Sequence, residues 1–221
     1  MDPQLQTKSL IAFYFGATVA TRKVDSCEVD SCEVVHAISQ RAYRDVSRTL
    51  HGVAARPEAD EIRTATHNAI VTFLTELHNV DTQADFDALH HTWCQETINR
   101  YDPATTESEG MFLRYGQAQK WLNMALKYCA VLDHPAITDT IYAVLHVPID
   151  QIIYDNAATG LDLARPKTSD DPAPTAWSTL TNTQYRGYQR ELRAALADHH
   201  PHTLPLDWEA DVWARSPTEA Q

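Results

Sequence analysis

Apolar side chains recur along this chain in steps of three and four, and no stretch alternates apolar and polar residues between turn signals. The first period gathers side chains on one helix face, whereas a strand needs alternation, so the pattern predicts an all-α chain. Residues 110–132 carry it furthest. Met111, Tyr115, Ala118, Leu122, Ala125, Cys129 and Leu132 form one stripe, and Trp121, Met124, Tyr128 and Val131 widen it well beyond one face. Such a helix is buried on most sides, with a thin polar line of Lys120, Asn123 and Lys127 left over.

The remaining elements follow from the same period and its punctuation. Residues 8–22 hold Leu10, Ile11, Phe13, Tyr14 and Val19 and read as a helix, with Gly16 either a packing contact or a break. Ser31 stands where an N-cap would, ahead of a helix from Cys32 to about His51 with Val35, Ile38, Ala42 and Val46 inward. Gly52 ends it, and Arg56-Pro57-Glu58 starts the next, whose core face is Ile62, Ala65, Ala69, Phe73 and Leu77. Thr82–Asp85 resembles a capping box for a helix to Tyr101, and Thr106–Glu109 is one for the central helix. His134-Pro135 starts a short helix through Leu145, Pro148 breaks it, and Ile149–Tyr154 adds a turn or two. Thr181–Gln184 caps a helix through Leu196, and Leu206–Trp213 is the last.

These elements make an irregular multi-helix bundle around the central helix. The expected organisation is one domain: a bundle over 1–164, a Pro-rich loop over 165–176, and helices over 177–215 that pack back, because Trp177, Trp208 and Trp213 need burial. With 221 residues, 43% hydrophobic, the chain is long enough for a substantial core. Its net charge of −12 argues against general DNA binding or an anionic membrane surface. The apolar run Leu10–Phe15 is too short for a signal or a span, and Cys94 and Cys129 fall inside helical patterns as free, buried thiols, so a cytoplasmic protein is expected.

Charge patterning supplies the candidate chemistry. Arg41, Arg44, Arg48 and His51 fall at steps of three, four and three on one helix face, a row suited to phosphate or carboxylate. The competing account is a solvated face whose arginines pair with nearby acids. Lys120, Asn123 and Lys127 would supply a polar pocket against Trp121 and Tyr128, or else brace the fold through Asp150 and the Tyr185/Tyr188 pair. Cys27, Cys32 and His36, with Glu33, have zinc-ligand chemistry but no familiar four-ligand spacing, so free thiols and no metal or cofactor are expected. Glu33/His36 and Asp87/His90/His91 are carboxylate–histidine pairs of the di-iron type, without the further inward carboxylates such a site needs. No Gly-rich phosphate loop or nucleophile elbow is present.

Two resemblances bear on function. Arg44, followed by Asp45 and, after six intervening residues, by His51, is similar to the Arg-x4–6-His signature of the HEPN superfamily. That resemblance implies a metal-independent ribonuclease in which Arg44 positions phosphate and His51 is the general acid/base, completed across a homodimer. Residues 115–128 with Pro148-Ile149-Asp150 resemble a core pattern of uncharacterised bacterial all-helical proteins, which implies a compact helical core and no particular activity. The leading expectation is a binding module with a local cationic site for a nucleotide, RNA or acidic partner segment, with Arg41, Arg48, Lys120, Asn123 and Lys127 as ligand contacts. The alternatives are the ribonuclease and a structural subunit of a larger complex.

Overall fold

The computed structural model describes residues 2–23, 29–50, 58–101, 113–167 and 173–215. Among them the chain forms ten α-helices and no sheet: α1 Pro3–Phe15, α2 Ala17–Thr21, α3 Cys32–Ser47, α4 Ala59–Glu76, α5 Gln83–Tyr101, α6 Tyr115–Val131, α7 Asp139–Val144, α8 Gln151–Gly160, α9 Asn182–His199 and α10 Pro205–Arg215. The centre is α6, which packs against α3, α5 and α9. Fourteen of its residues are buried, among them Trp121, Leu122, Ala125 and Cys129.

Punctuation explains most boundaries. Gly16 breaks the first segment with φ 102, a backbone region closed to residues with a Cβ, so α1 and α2 are separate. The amide of Thr82 donates to Asp85 Oδ2 and that of Asp85 to Thr82 Oγ1, while Thr181 and Gln184 reciprocate in the same way ahead of α9.

Several boundaries differ from the sequence expectation: α1 begins at Pro3 rather than residue 8, α8 runs Gln151–Gly160 rather than 149–154, and three others have a local cause. α6 begins at Tyr115 rather than 110, because Arg114 is extended and its amide donates to Gln117 Oε1; the capping box at 106–109 lies outside the described residues. α7 begins after Thr138, whose hydroxyl accepts from the Ile141 amide, while the Ala136 amide donates to His134 Nδ1 in a separate turn. α3 ends at Ser47, where single turns close through the amides of Thr49 and Leu50.

Close approach fixes one contact of α6. The amide of Gly116 donates to the Leu180 carbonyl, and a Cβ on Gly116 would stand 2.0 Å from the Trp177 carbonyl oxygen. α9 packs on α6, and α10 packs on α8 and α9. Trp208 is buried as expected, whereas Trp213 stays 39% exposed.

Candidate functional site

The two predicted cationic groups lie on different sides of α6. α3 meets the side bearing Trp121, whose indole N–H donates to the Ser39 carbonyl, and Tyr128, whose hydroxyl donates to Asp45 Oδ2. Arg41 is committed there. Its guanidinium pairs with Asp45 at 2.5 Å and donates to the Tyr14 hydroxyl at 2.7 Å, tying α1 to α3. Arg44 and Arg48 are exposed, and His51 lies outside the described residues, as does Cys27. Among the described residues no group of three or more His, Cys, Asp or Glu side chains is placed to hold a metal.

The polar line of α6 faces neither the arginine row nor water. Lys120 is 4% exposed and reaches Asp150 Oδ2 at 2.8 Å; Asp150 also caps α8 through the Ile153 amide. Lys127 sits 2.8 Å and 2.6 Å from the two carboxylate oxygens of Glu209 on α10, with Trp213 over the ammonium groups of both lysines. Burial raises the Glu209 pKa, and the two lysines hold it back. As ligand contacts, then, Lys120 and Lys127 are already spent on internal carboxylates: a lysine with a buried counter-charge costs less than one left alone, so the fold uses them itself.

Asn123, 1% exposed, is the hub of a buried network whose proton positions are fixed by two backbone carbonyls. Gln119 Nε2 donates to Gly116 and Ile149, so Gln119 Oε1 must accept from Asn123 Nδ2. Nδ2 also donates to the Tyr185 hydroxyl at 2.8 Å, leaving Asn123 Oδ1 to accept from His90 Nε2 at 3.0 Å. The Tyr185 hydroxyl then donates to His146 Nδ1 at 2.8 Å, and His146 Nε2 donates to Asp87 Oδ1 at 2.8 Å. Both imidazoles are neutral, their pKa values lowered first by burial.

The network also contains a thiol. Cys94 Sγ lies 3.7 Å from His90 Nδ1, giving the order thiol, imidazole, carboxamide of a cysteine nucleophile. Burial raises the Cys94 pKa well above its usual value and lowers that of His90, and neither side chain reaches the surface, so the pair stays neutral and structural.

The network ends at a cleft of about 630 Å³ between α5 and α9, lined by Gln83, Asp87, His146, Asn182, Arg186, Arg190 and Arg193 among others. Within α9, Arg193 donates to the carbonyls of Ala143, Val144 and Leu145, and Gln189 pairs with both the amide and the carbonyl of Val147. Together they grip the segment that presents His146. Arg186 and Arg190 project from the same helix, exposed, and neither makes an ion pair or hydrogen bond with the described residues. Opposite them, burial works against the Asp87 carboxylate, but hydrogen bonds from His146 and Gln83 hold its pKa at about 2. The cleft therefore carries three guanidiniums against one carboxylate, in a chain of net charge −12.

This second arginine row escaped the sequence reading although Arg186, Arg190 and Arg193, at steps of four and three, share one helix face just as Arg41, Arg44 and Arg48 do at steps of three and four. A partial signal was present: Asp45 stands four residues after Arg41 and three before Arg48, whereas no acid lies three or four residues from Arg186 or Arg190, nor from Arg44. The chain matches no protein-family model, no curated protein and no solved structure.

Proposed function

We propose that the chain is a helical binding module, working in the cytoplasm, whose ligand is an anion held in the cleft between α5 and α9. The observation that carries this reading is the pair Arg186 and Arg190, side by side on a cleft and without a carboxylate partner among the described residues. Guanidiniums offer fixed N–H donors to phosphate or carboxylate, and a low local density of acids leaves that capacity unspent. The start of α9 adds to it, since Asn182 and Thr183 line the same cleft at the positive end of the helix dipole.

A thermal-shift panel of phosphate, sulfate and nucleoside monophosphates tests the reading. Ligand at 100 times its Kd stabilises by about 2.7 kcal/mol, which for a chain of this size raises Tm by roughly 5–10 °C. The rise is expected to vanish in Arg186→Glu/Arg190→Glu. An unchanged Tm at millimolar ligand, or an equal rise in the double variant, would overturn it. Cleavage of structured RNA in EDTA, lost in Arg44→Ala/His51→Ala, would instead favour the ribonuclease.

A protein partner is favoured by a different observation. α1 buries no side chain fully, although Ile11 and Phe15 pack against the core, and it exposes Leu5, Leu10 and Phe13, the last at 90%. Sedimentation of wild type against Phe13→Glu tests it, with a single monomeric species in both counting against it.

A further inference from the structure

Resting on that reading of the cleft, we infer that its ligand is a zwitterion, with the anionic group on Arg186 and Arg190 and a protonated amine on Asp87. Asp87 Oδ1 is fully used, accepting from His146 Nε2 and Gln83 Nε2, both at 2.8 Å. Its second oxygen has no hydrogen-bond partner among the described residues, and the residue lines the cleft. A second acceptor lies beside it: Asn182 lines the cleft, and its buried Oδ1 makes no hydrogen bond among the described residues. A purely anionic ligand would leave both acceptors unmet and set a negative charge beside the Asp87 carboxylate. An ammonium has three N–H donors and a positive charge, so it supplies what the acceptors lack while the arginines take the other end.

The framework supports this division. Gln83 is held by the Val144 carbonyl as well as by Asp87, and His146 by Tyr185, so the carboxylate is oriented before any ligand arrives. Asp87, Arg186 and Arg190 all line this one cleft, so the two ends of the site open on the same space. The shared chemistry, an ammonium joined to a phosphate or a carboxylate, fits both aminoalkyl phosphates and amino acids.

Calorimetric titration of the full chain with 2-aminoethyl phosphate, ethyl phosphate, N-acetyl-2-aminoethyl phosphate and β-alanine separates these possibilities. A charge-assisted bond predicts that 2-aminoethyl phosphate binds about ten- to a hundredfold tighter than ethyl phosphate, and that acetylation removes the advantage. Asp87→Asn keeps an acceptor for His146 and is expected to bring the ratio close to one. Comparison with β-alanine tells phosphate from carboxylate as the anionic end. Equal binding of 2-aminoethyl and ethyl phosphate to wild type overturns the zwitterion and leaves the anion site standing. No binding of any probe overturns the anion site itself. The acetylated ligand keeps the test decisive if Asp87→Asn does not fold.

Discussion

The hydroxyl of Tyr185 on α9 donates to Nδ1 of His146 at 2.8 Å while accepting from Asn123 on α6, so one oxygen joins the central helix to the floor of the cleft. All three side chains are buried, and a buried polar group that loses its partner bears the full desolvation cost. Tyr185→Phe leaves Asn123 Nδ2 with one partner fewer and His146 Nδ1 with no donor. It is expected to cost about 1–3 kcal/mol in urea unfolding, and a loss below the error of the fit would contradict the network.

Gly116 and Gly187 form a matched pair for the packing of α6. A methyl on Gly116 would collide with the Trp177 carbonyl at 2.0 Å, whereas nothing lies within 4 Å of one on Gly187. Gly116→Ala is expected to destabilise by about 3 kcal/mol or more, since backbone must move. Gly187→Ala is expected to be neutral or to stabilise by up to about 1 kcal/mol, the helix-propensity difference. Equal effects would show that the close approach is absent.

The pair Lys127–Glu209 fastens α10 to α6. Glu209 is wholly buried, so Lys127→Met strands its charge and is expected to cost about 3 kcal/mol, while Lys127→Met/Glu209→Leu recovers most of that loss. A double-mutant cycle by urea unfolding reads the coupling. Additive losses would mean that the two side chains do not act together.

Stability is expected to fall as acid is added below neutrality. Burial, with the charges of His36 and Arg63, lowers the His67 pKa from 6.5 to about 4, and burial likewise lowers those of His90, His134 and His146. Between the unfolded value and the folded one, the unfolded chain binds more protons, so native stability is full above about 6.5 and declines as pH falls toward 4. Asp87, depressed to about 2, adds a further loss below about 4. Glu209, raised by burial, works in the opposite direction, but as one group against several. Urea midpoints at pH 7, 6, 5 and 4 check the slope, and a flat or rising series would contradict it.

The helices were legible because helix period, caps and breakers are local. Thr82/Asp85, Thr181/Gln184 and Pro148 mark their boundaries in a few consecutive residues, and Asp150 and Tyr185 were identifiable as partners for the polar line of α6. The site was less legible because it depends on which charges meet across the fold. A row of arginines looks the same whether or not it opens on a cleft, and the local acid spacing sets Arg41 and Arg48, but not Arg44, apart from Arg186 and Arg190. His146 gave no signal at all: it lies between helices, and its position is set by Gln189 and Arg193 from more than 40 residues away.

The central claim is that the anion-binding arginines are those of α9 rather than those of α3. Nitrogen-15 chemical-shift mapping with inorganic phosphate tests it directly, reading the arginine side-chain Nε–H signals and the backbone amides together. The account predicts saturable shifts at Arg186, Arg190 and the amides of Asn182 and Thr183, with Arg41, Arg44 and Arg48 unmoved. Shifts concentrated on α3, with α9 silent, would contradict it.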